Sequence, residues 1–470
     1  MTDADTLAAL LASLDANTLE TLREELLTTV VDASTQPCTL QMMQKLADSL
    51  PFAVDSDIPD AIRVVKALSR VIIKYISAIS ADPDNVMALI VLDDNLLPIL
   101  RVLRAFVDLS NRKEINSDTK WLPFVLTACY FVNGEELPGA GLMQSVALAE
   151  ELLDACVELV HVQGRETLLA KYVAQIVALC SQDVGKDEWV AVSSVYKHVM
   201  LRVVGQVPFP YLGGDLLGRL LALTFPLVDD LTDTTQLVGA RLLRHIVRNV
   251  TPTELRWYSD VLLEVLYTAI VSRKPHTLDV LLDCLVESLD KVSPPGELKH
   301  YDRFMPRLLS DTSLCSDVAV RVIFVRHLRV LVTRQGAPHS LNVIRYLQPL
   351  LKVLIAGFES VNVTLLVETL KALRTTVLSA WPRIAPHTEA ILVGVLRAVA
   401  FCEIFDAGAD FTPSQKERGQ LLALCEDILD LLHQVNGGDP VVSDVLATVS
   451  SQSPKLSPFC DQAQSKWESR

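Results

Sequence analysis

Basic residues and aromatic residues are both scarce in this sequence. The shortage of basic residues limits the possible functions, and the shortage of aromatic residues bears on the fold class. Its 42 Lys and Arg residues are outnumbered by 57 Asp and Glu residues, so the formal net charge is −15. Non-specific nucleic-acid binding needs a concentrated basic surface that displaces counterions from the phosphates, and this balance argues against it. Aromatic residues make up only 6%, and no stretch alternates apolar and polar residues for long enough to predict a β-sheet.

Long uninterrupted apolar runs are also missing. A membrane-spanning helix needs about 18 or more apolar residues in succession. The longest uncharged candidates, such as residues 121–134, are shorter and contain Pro123 and Asn133. The first residues include Asp3 and Asp5, where a secretory signal would be basic. We therefore expect no membrane association and a cytoplasmic location, with the nucleus as a further compartment.

The spacing of the cysteines indicates no metal site, and the sequence contains none of the common catalytic motifs. The nine cysteines are scattered and form no CxxC pair, so we predict reduced, mostly buried thiols. No two histidines lie three or four residues apart, and the phosphate-binding, zinc-protease and serine-hydrolase motifs are absent. Ser194 and Lys197 form an SxxK without its companion motifs. The sequence thus predicts no enzyme activity and no cofactor.

Apolar residues recur at helical spacing through most of the chain. Hydrophobic residues make up 50% and the mean hydropathy is +0.32, which is too apolar for a disordered chain. In 234–250, Leu237, Ala240 and Leu243 begin an apolar stripe that continues at Val247 and Val250. The same pattern predicts helices over 317–333, 340–359, 363–380 and 415–435.

The predicted helices come in pairs at a regular distance along the chain. Short breaks containing Pro or Gly lie at 80–84, 133–141, 206–214, 292–300 and 406–414. Starts of first helices near 234, 276, 317 and 362 give offsets of 42, 41 and 45 residues. Two helices in about 40–47 residues are typical of HEAT and armadillo repeats. We predict an all-α, HEAT/armadillo-like α-solenoid of paired antiparallel helices, with an irregular helical bundle as the alternative.

The regularity of this pattern divides the chain into three predicted regions. Residues 1–185 form a helical amino-terminal region with irregular repeats, and 186–449 form the HEAT-like solenoid. Residues 450–470 are rich in serine, and we expect this tail to be flexible.

One charge pattern suggests a contact surface. Arg241, Arg244 and Arg248 share one face of a predicted helix, with His245 beside them. A stripe of this kind is usually the solvated face of an amphipathic helix. In a chain of charge −15, however, three arginines on one face are less expected than three carboxylates such as Glu150, Asp154 and Glu158. The arginines are therefore the candidate partner-binding residues, for an acidic segment of a partner.

Three stretches resemble a known family. Residues 195–212 read VYKHVMLRVVGQVPFPYL, 239–258 read GARLLRHIVRNVTPTELRWY, and 369–384 read TLKALRTTVLSAWPRI. In this order and at these intervals they resemble the Tel-two-interacting protein two family, the smaller HEAT-repeat subunits of the Triple-T (TTT) co-chaperone complex. The most specific pieces are Gly239, His245 and Asn249 in the second stretch, and Trp381-Pro382-Arg383 in the third. The similarity covers about residues 190–400.

The resemblance implies a scaffold protein without enzymatic activity or cofactor. Members of this family bind the larger HEAT-repeat subunit of the complex and, through it, the Tel-two subunit. With the heat-shock chaperone system they support the folding, assembly and stability of phosphatidylinositol-kinase-related protein kinases, which are thus indirect clients. These kinases act in nutrient, DNA-damage and telomere signalling.

The motif residues also have structural interpretations of their own. Gly239 in mid-helix is unfavourable by about 1 kcal/mol relative to Ala, so we expect a neighbouring helix to approach it closely. His245 is expected to bind a loop carbonyl rather than to act in catalysis. Asn249 is expected near the end of one helix, just before Pro252 at the first position of the next. Trp381 is expected to be buried where Pro382 stops its helix.

Two other classes of protein fit parts of the sequence. Another α-solenoid adaptor, such as a karyopherin-type transport receptor or a phosphatase scaffold, would also be acidic and helical. A helical enzyme would need titratable groups that only folding brings together. The three matched stretches favour the TTT subunit over both.

Overall fold

A computed structural model describes the chain in segments. The described residues are 3–14, 16–29, 38–79, 86–113, 119–134, 143–181, 189–192, 194–294, 297–336, 341–403, 413–437 and 440–468. Within these ranges the regular structure is helical and no strand occurs. The chain divides into two compact units, Met1–Trp257 and Tyr258–Arg470. This division lies inside the 186–449 region that is predicted from the sequence to be one solenoid.

The first unit consists of helices arranged in two layers. In chain order they are α1 (Asp3–Ser13), α2 (Ala16–Thr29), α3 (Cys38–Ser49), α4 (Ile58–Ile79), α5 (Val86–Arg112), α6 (Leu122–Val132), α7 (Met143–Val160), α8 (Arg165–Ser181), α9 (Ser194–Gly205), α10 (Asp215–Val228), α11 (Asp233–Arg248) and α12 (Pro252–Arg256). Helices α1, α3, α5 and α7 each pack on the next, and α2, α4, α6 and α8 do the same. Helix α9 continues this stacking against α6, α8 and α11, and α11 packs on α10.

The second unit repeats the two-layer arrangement with a more even period. Its helices are α13 (Ser259–Ala269), α14 (Pro275–Val292), α15 (Lys299–Leu314), α16 (Val318–Gly336), α17 (Leu341–Arg345), α18 (Leu347–Gly357), α19 (Val363–Ala380), α20 (Thr388–Glu403), α21 (Gln415–Val435), α22 (Val441–Gln452) and α23 (Ser457–Glu468). Helices α14, α16, α19 and α21 stack in one layer, and α15, α18 and α20 stack in the other.

The helical repeat predicted from the sequence is confirmed. The first helices begin at Asp233, Pro275, Val318 and Val363, which gives offsets of 42, 43 and 45 residues. Helices α19 and α21 have the predicted bounds. The fold is an all-α solenoid of helix pairs, because each amphipathic helix buries its apolar stripe against the helices before and after it.

Two predicted details differ from the structure. The helix predicted at 340–359 is divided into α17 and α18 at Tyr346, because Pro349 has no N–H to donate to the carbonyl of Arg345. The tail expected to be flexible contains α23, which packs on α22. The buried residues in and just before α23 recur at helical spacing; they are Leu456, Phe459, Cys460 and Ala463.

One described segment has the length and hydropathy of a membrane span. Ala385–Glu403 is 19 residues long with a mean hydropathy of 1.3, and 44% of it is buried within the protein. Glu389 and Arg397 interrupt its apolar run. Most of this segment is α20, whose buried side chains pack against α18 and α21, which is the pattern of a core helix.

The cysteines with described side chains are all free thiols. Six of them are buried, namely Cys129, Cys156, Cys180, Cys284, Cys425 and Cys460, as predicted. Burial raises the pKa of the Cys156 and Cys180 thiols to about 12, so both remain protonated and unreactive at neutral pH.

Candidate partner-binding surface

The arginine stripe lies on the outer face of α11. Arg241 and Arg248 are exposed and Arg244 is half-buried, while Leu242 and Ile246 on the other side are fully buried. Each of the three arginines also interacts within the protein. The structure thus presents the three candidate residues on one surface, and their role in binding stays a prediction.

Gly239 allows α11 to lie directly against α10. A Cβ at this position would be 2.7 Å from the carbonyl carbon of Leu227 and 2.7 Å from the amide nitrogen of Val228. Backbone atoms cannot move aside as a flexible side chain can, so only glycine fits at this distance. The close helix approach expected for Gly239 is confirmed.

His245 and Asn249 hold the loop that connects α9 to α10. The Nε2 atom of His245 lies 3.0 Å from the carbonyl oxygen of Val207, which confirms the expected hydrogen bond to a loop carbonyl. One helical turn later, Asn249 Oδ1 accepts a hydrogen bond from the amide of Phe209 at 3.0 Å. The Asn249 Nδ2 group donates to the carbonyl of His245 at 3.0 Å, so it also satisfies the carboxyl end of α11.

Glu254 adds a third attachment from α12. Thr251 caps this helix, its hydroxyl accepting from the Glu254 amide while the Glu254 carboxylate accepts from the Thr251 amide. Pro252 stands at the first helical position, as predicted. The same carboxylate accepts a hydrogen bond from the amide of Gly214 at 2.8 Å. Hydrogen bonds from the Thr251 hydroxyl, then the Gly214 and Thr251 amides, lower the pKa of Glu254.

The attached loop, residues 206–214, turns two aromatic side chains outward. Val207 and Leu212 are fully buried, whereas Phe209 and Tyr211 between them are 55% and 52% exposed. Trp257, directly after α12, is 84% exposed. None of these three residues is a binding candidate by sequence pattern alone. Two signals mark the region: the PFP sequence that excludes a helix, and the T-P-x-E pattern of a capping box.

The Trp381-Pro382-Arg383 motif lies in the second unit, and the burial expected for Trp381 is wrong. Trp381 is 62% exposed, and Pro382 and Arg383 are exposed as well. The three residues form a short 3-10 turn after α19. Ile384, the residue that follows, is fully buried. After the turn at the proline, the side chain that enters the core is Ile384 and not Trp381.

The other charged or reactive groups singled out in the sequence have structural roles. Arg165 pairs with both Glu150 and Asp154, so the acidic stripe is partly neutralised within the chain. Lys197 of the SxxK is buried and donates to the backbone carbonyl of Val190. In the described part of the chain, no three His, Cys, Asp or Glu side chains are grouped as a metal site requires.

The sequence was compared with known proteins, and no model of a protein family matches it. It is 26% identical to human TELO2-interacting protein 2 over 281 residues, which are 56% of this chain and 52% of the human protein. It is 24% identical to mouse TELO2-interacting protein 2 over 288 residues, 59% of this chain and 54% of the mouse protein. The resemblance to the Tel-two-interacting protein two family is confirmed.

The chain spans about half the length of the curated relatives that it matches. Solved structures with a similar fold include Kap121p bound to RanGTP, with a TM-score of 0.46, 12% identity, and coverage of 96% of this chain and 49% of that one. Kap121p alone has a TM-score of 0.45 and 13% identity, and the match covers 98% of this chain and 50% of Kap121p.

Proposed function

We propose that the chain is a non-enzymatic scaffold subunit of a TTT co-chaperone complex. It binds the larger HEAT-repeat subunit and, through it, the Tel-two subunit. The observation that carries this proposal is the 26% identity over 281 residues to a human protein whose name states that it interacts with TELO2.

The architecture supports a binding role. A solenoid of stacked helix pairs exposes a long surface, on which partner helices or extended segments can lie. On this surface the motif residues His245 and Asn249 hold a loop in place, and Gly239 joins α11 to α10. Gly239, His245 and Asn249 therefore fix the structure of the surface beside the arginine stripe. A surface with a fixed structure suits recognition of a specific partner.

The proposed complex acts on large kinases. Through the other TTT subunits and the heat-shock chaperone system, the chain supports the folding and stability of phosphatidylinositol-kinase-related kinases. It works in the cytoplasm, with the nucleus as a second compartment, and binds neither nucleic acid nor membrane directly.

Native purification of the tagged 470-residue chain tests this function. We expect the larger HEAT-repeat subunit and the Tel-two subunit in stoichiometric amounts, and lower steady-state levels of the kinases after depletion of the chain. The full chain is used because α9 packs against α6 and α8, which a fragment beginning near residue 190 would lack. Recovery of a nucleotide-loaded small GTPase would instead identify a transport receptor, and recovery of phosphatase subunits a phosphatase scaffold.

A further inference from the structure

Three large aromatic side chains are exposed in one part of the first unit. They are Phe209 and Tyr211 on the loop 206–214 and Trp257 after α12, at 55%, 52% and 84% exposure. The loop and α12 are joined through Glu254, which binds the Gly214 amide and whose carbonyl accepts from the Trp257 amide at 3.3 Å. Aromatic side chains exposed together in this way mark contact surfaces, and Trp and Tyr are enriched among residues that dominate binding energy.

We propose that Phe209, Tyr211 and Trp257 form an aromatic docking surface for an acidic partner segment that carries apolar anchor residues. This inference rests on the proposed function, because it assigns the segment to the larger HEAT-repeat subunit. The main contacts with the partner are made by the aromatic rings, and the arginine stripe has the secondary role of orienting the partner segment.

The loop is held in one conformation before any partner arrives. Its backbone is hydrogen-bonded at three points, to His245, Asn249 and Glu254, and Val207 and Leu212 anchor it in the core. Binding to a preorganised surface does not have to order the loop, so more of the contact energy remains as affinity. The side chains that hold the loop therefore support the aromatic surface.

The arginines beside the loop favour an acidic occupant, and each also interacts within the protein. On a helix with 3.6 residues per turn, Arg241 and Arg248 fall about 40° and 60° to one side of His245, which contacts the loop. Asn249 falls about 40° to the other side. The arginines therefore run alongside the attachment of the loop, on a protein whose net charge is −15. A basic strip beside exposed rings complements carboxylates that flank apolar side chains.

The test compares two triple variants of the 470-residue chain for binding to the purified larger HEAT-repeat subunit. The aromatic variant is Phe209→Ala/Tyr211→Ala/Trp257→Ala. The matched control, Phe52→Ala/Leu314→Ala/Leu341→Ala, removes apolar side chains of 59%, 80% and 75% exposure from other places. We expect the aromatic variant to bind at least about thirtyfold more weakly and the control to bind as wild type does. Trp257→Ala alone, outside the loop, is the second variant in case the triple variant does not fold.

A photo-crosslinking benzoylphenylalanine at position 257 identifies the occupant. We expect it to capture a segment of the larger subunit that is rich in Asp and Glu and contains Leu, Ile or Phe. Capture of a basic or uncharged segment would overturn the acidic occupant. If wild type and the folded aromatic variant bind equally, the docking surface is wrong and the proposed function stands. If wild type itself does not bind the purified subunit, the proposed function fails, and the assignment of this surface fails with it.

Discussion

Gly239 of α11 faces the backbone of Leu227 in α10, at a distance that leaves no room for a side chain. A Cβ at position 239 would be 2.7 Å from the Leu227 carbonyl carbon. We expect Gly239→Ala to lower the stability of the first unit by about 1–3 kcal/mol, since the two helices must separate and neighbouring side chains must repack. Thermal unfolding followed by circular dichroism measures this loss.

Gly419 provides the matched control for Gly239. It lies at an exposed position of α21, and a Cβ there would meet no atom within 4 Å. Gly419→Ala should stabilise the protein by up to about 1 kcal/mol, because Ala has the higher helix propensity. Equal effects of the two substitutions would contradict the close packing of α10 and α11.

The capping box of α12 should make the attachment of the loop depend on pH. The pKa of Glu254 is lowered by hydrogen bonds from Thr251 and Gly214, so the carboxylate stabilises the folded state above the unfolded pKa of about 4.3. That stabilisation is lost as the pH falls through the lower, folded-state pKa. Glu254→Gln should therefore speed hydrogen exchange of the Gly214 amide at neutral pH, and the difference from wild type should shrink in acid. Equal exchange at neutral pH would show that the contact is not formed in solution.

Removing the cap itself should weaken the same segment. We expect Thr251→Ala to cost about 1 kcal/mol, the usual value for the loss of an N-cap side chain. Thr251→Ser keeps the hydroxyl and is the control, with stability close to wild type. The comparison uses denaturant midpoints at neutral pH, and a Ser variant as unstable as the Ala variant would contradict the capping role.

Charge reversal of the arginine stripe should weaken partner binding. Arg241→Glu/Arg244→Glu/Arg248→Glu leaves the buried side of α11 unchanged, and the exposed substitutions at Arg241 and Arg248 each change stability by only about 0.5 kcal/mol. The loss of affinity should be larger at low salt, where exposed charges are less screened. Titration of the variant with the larger HEAT-repeat subunit at low and high salt measures it.

The control for the stripe reverses three exposed basic residues on α5 and α8, namely Arg101, Arg112 and Lys171. It changes the net charge equally but elsewhere on the same unit. If both triple variants bind as wild type does, the stripe is only a solvated face; if both weaken binding equally, the effect comes from net charge.

The turn after α19 should tolerate loss of its tryptophan but not of the isoleucine that follows. Trp381 is 62% exposed and Ile384 is fully buried. We expect Trp381→Ala to change stability by about 0.5 kcal/mol or less, and Ile384→Ala to cost about 2–5 kcal/mol as a cavity mutation. Melting curves of the two variants measure this contrast, and the reverse order would contradict the packing.

The repeat could be predicted from the sequence because it depends on local periodicity. Helices α19 and α21 begin and end where the apolar spacing predicts. The role of Gly239 could be predicted because glycine weakens the middle of a helix, and close packing against a second helix compensates for that cost. The helix break at Tyr346 differs from the predicted continuous helix, although Pro349 marks it. The helix after residue 456 differs from the predicted flexible tail, because the serine content indicates flexibility while the spacing of Leu456 and Phe459 indicates a helix.

The sequence by itself determined the all-helical class, the period of about 42–45 residues between first helices and the place of the loop at 206–214. Each follows from residues that are close together in the chain. Only the tertiary structure decided which large side chains face outward. Burial depends on which helix from elsewhere in the chain covers a position, and so Ile384 is buried while Trp381, Phe209 and Trp257 are exposed. The candidate binding surface belongs to this second kind of information, since His245, Asn249 and Glu254 bind a loop about 40 residues earlier in the chain.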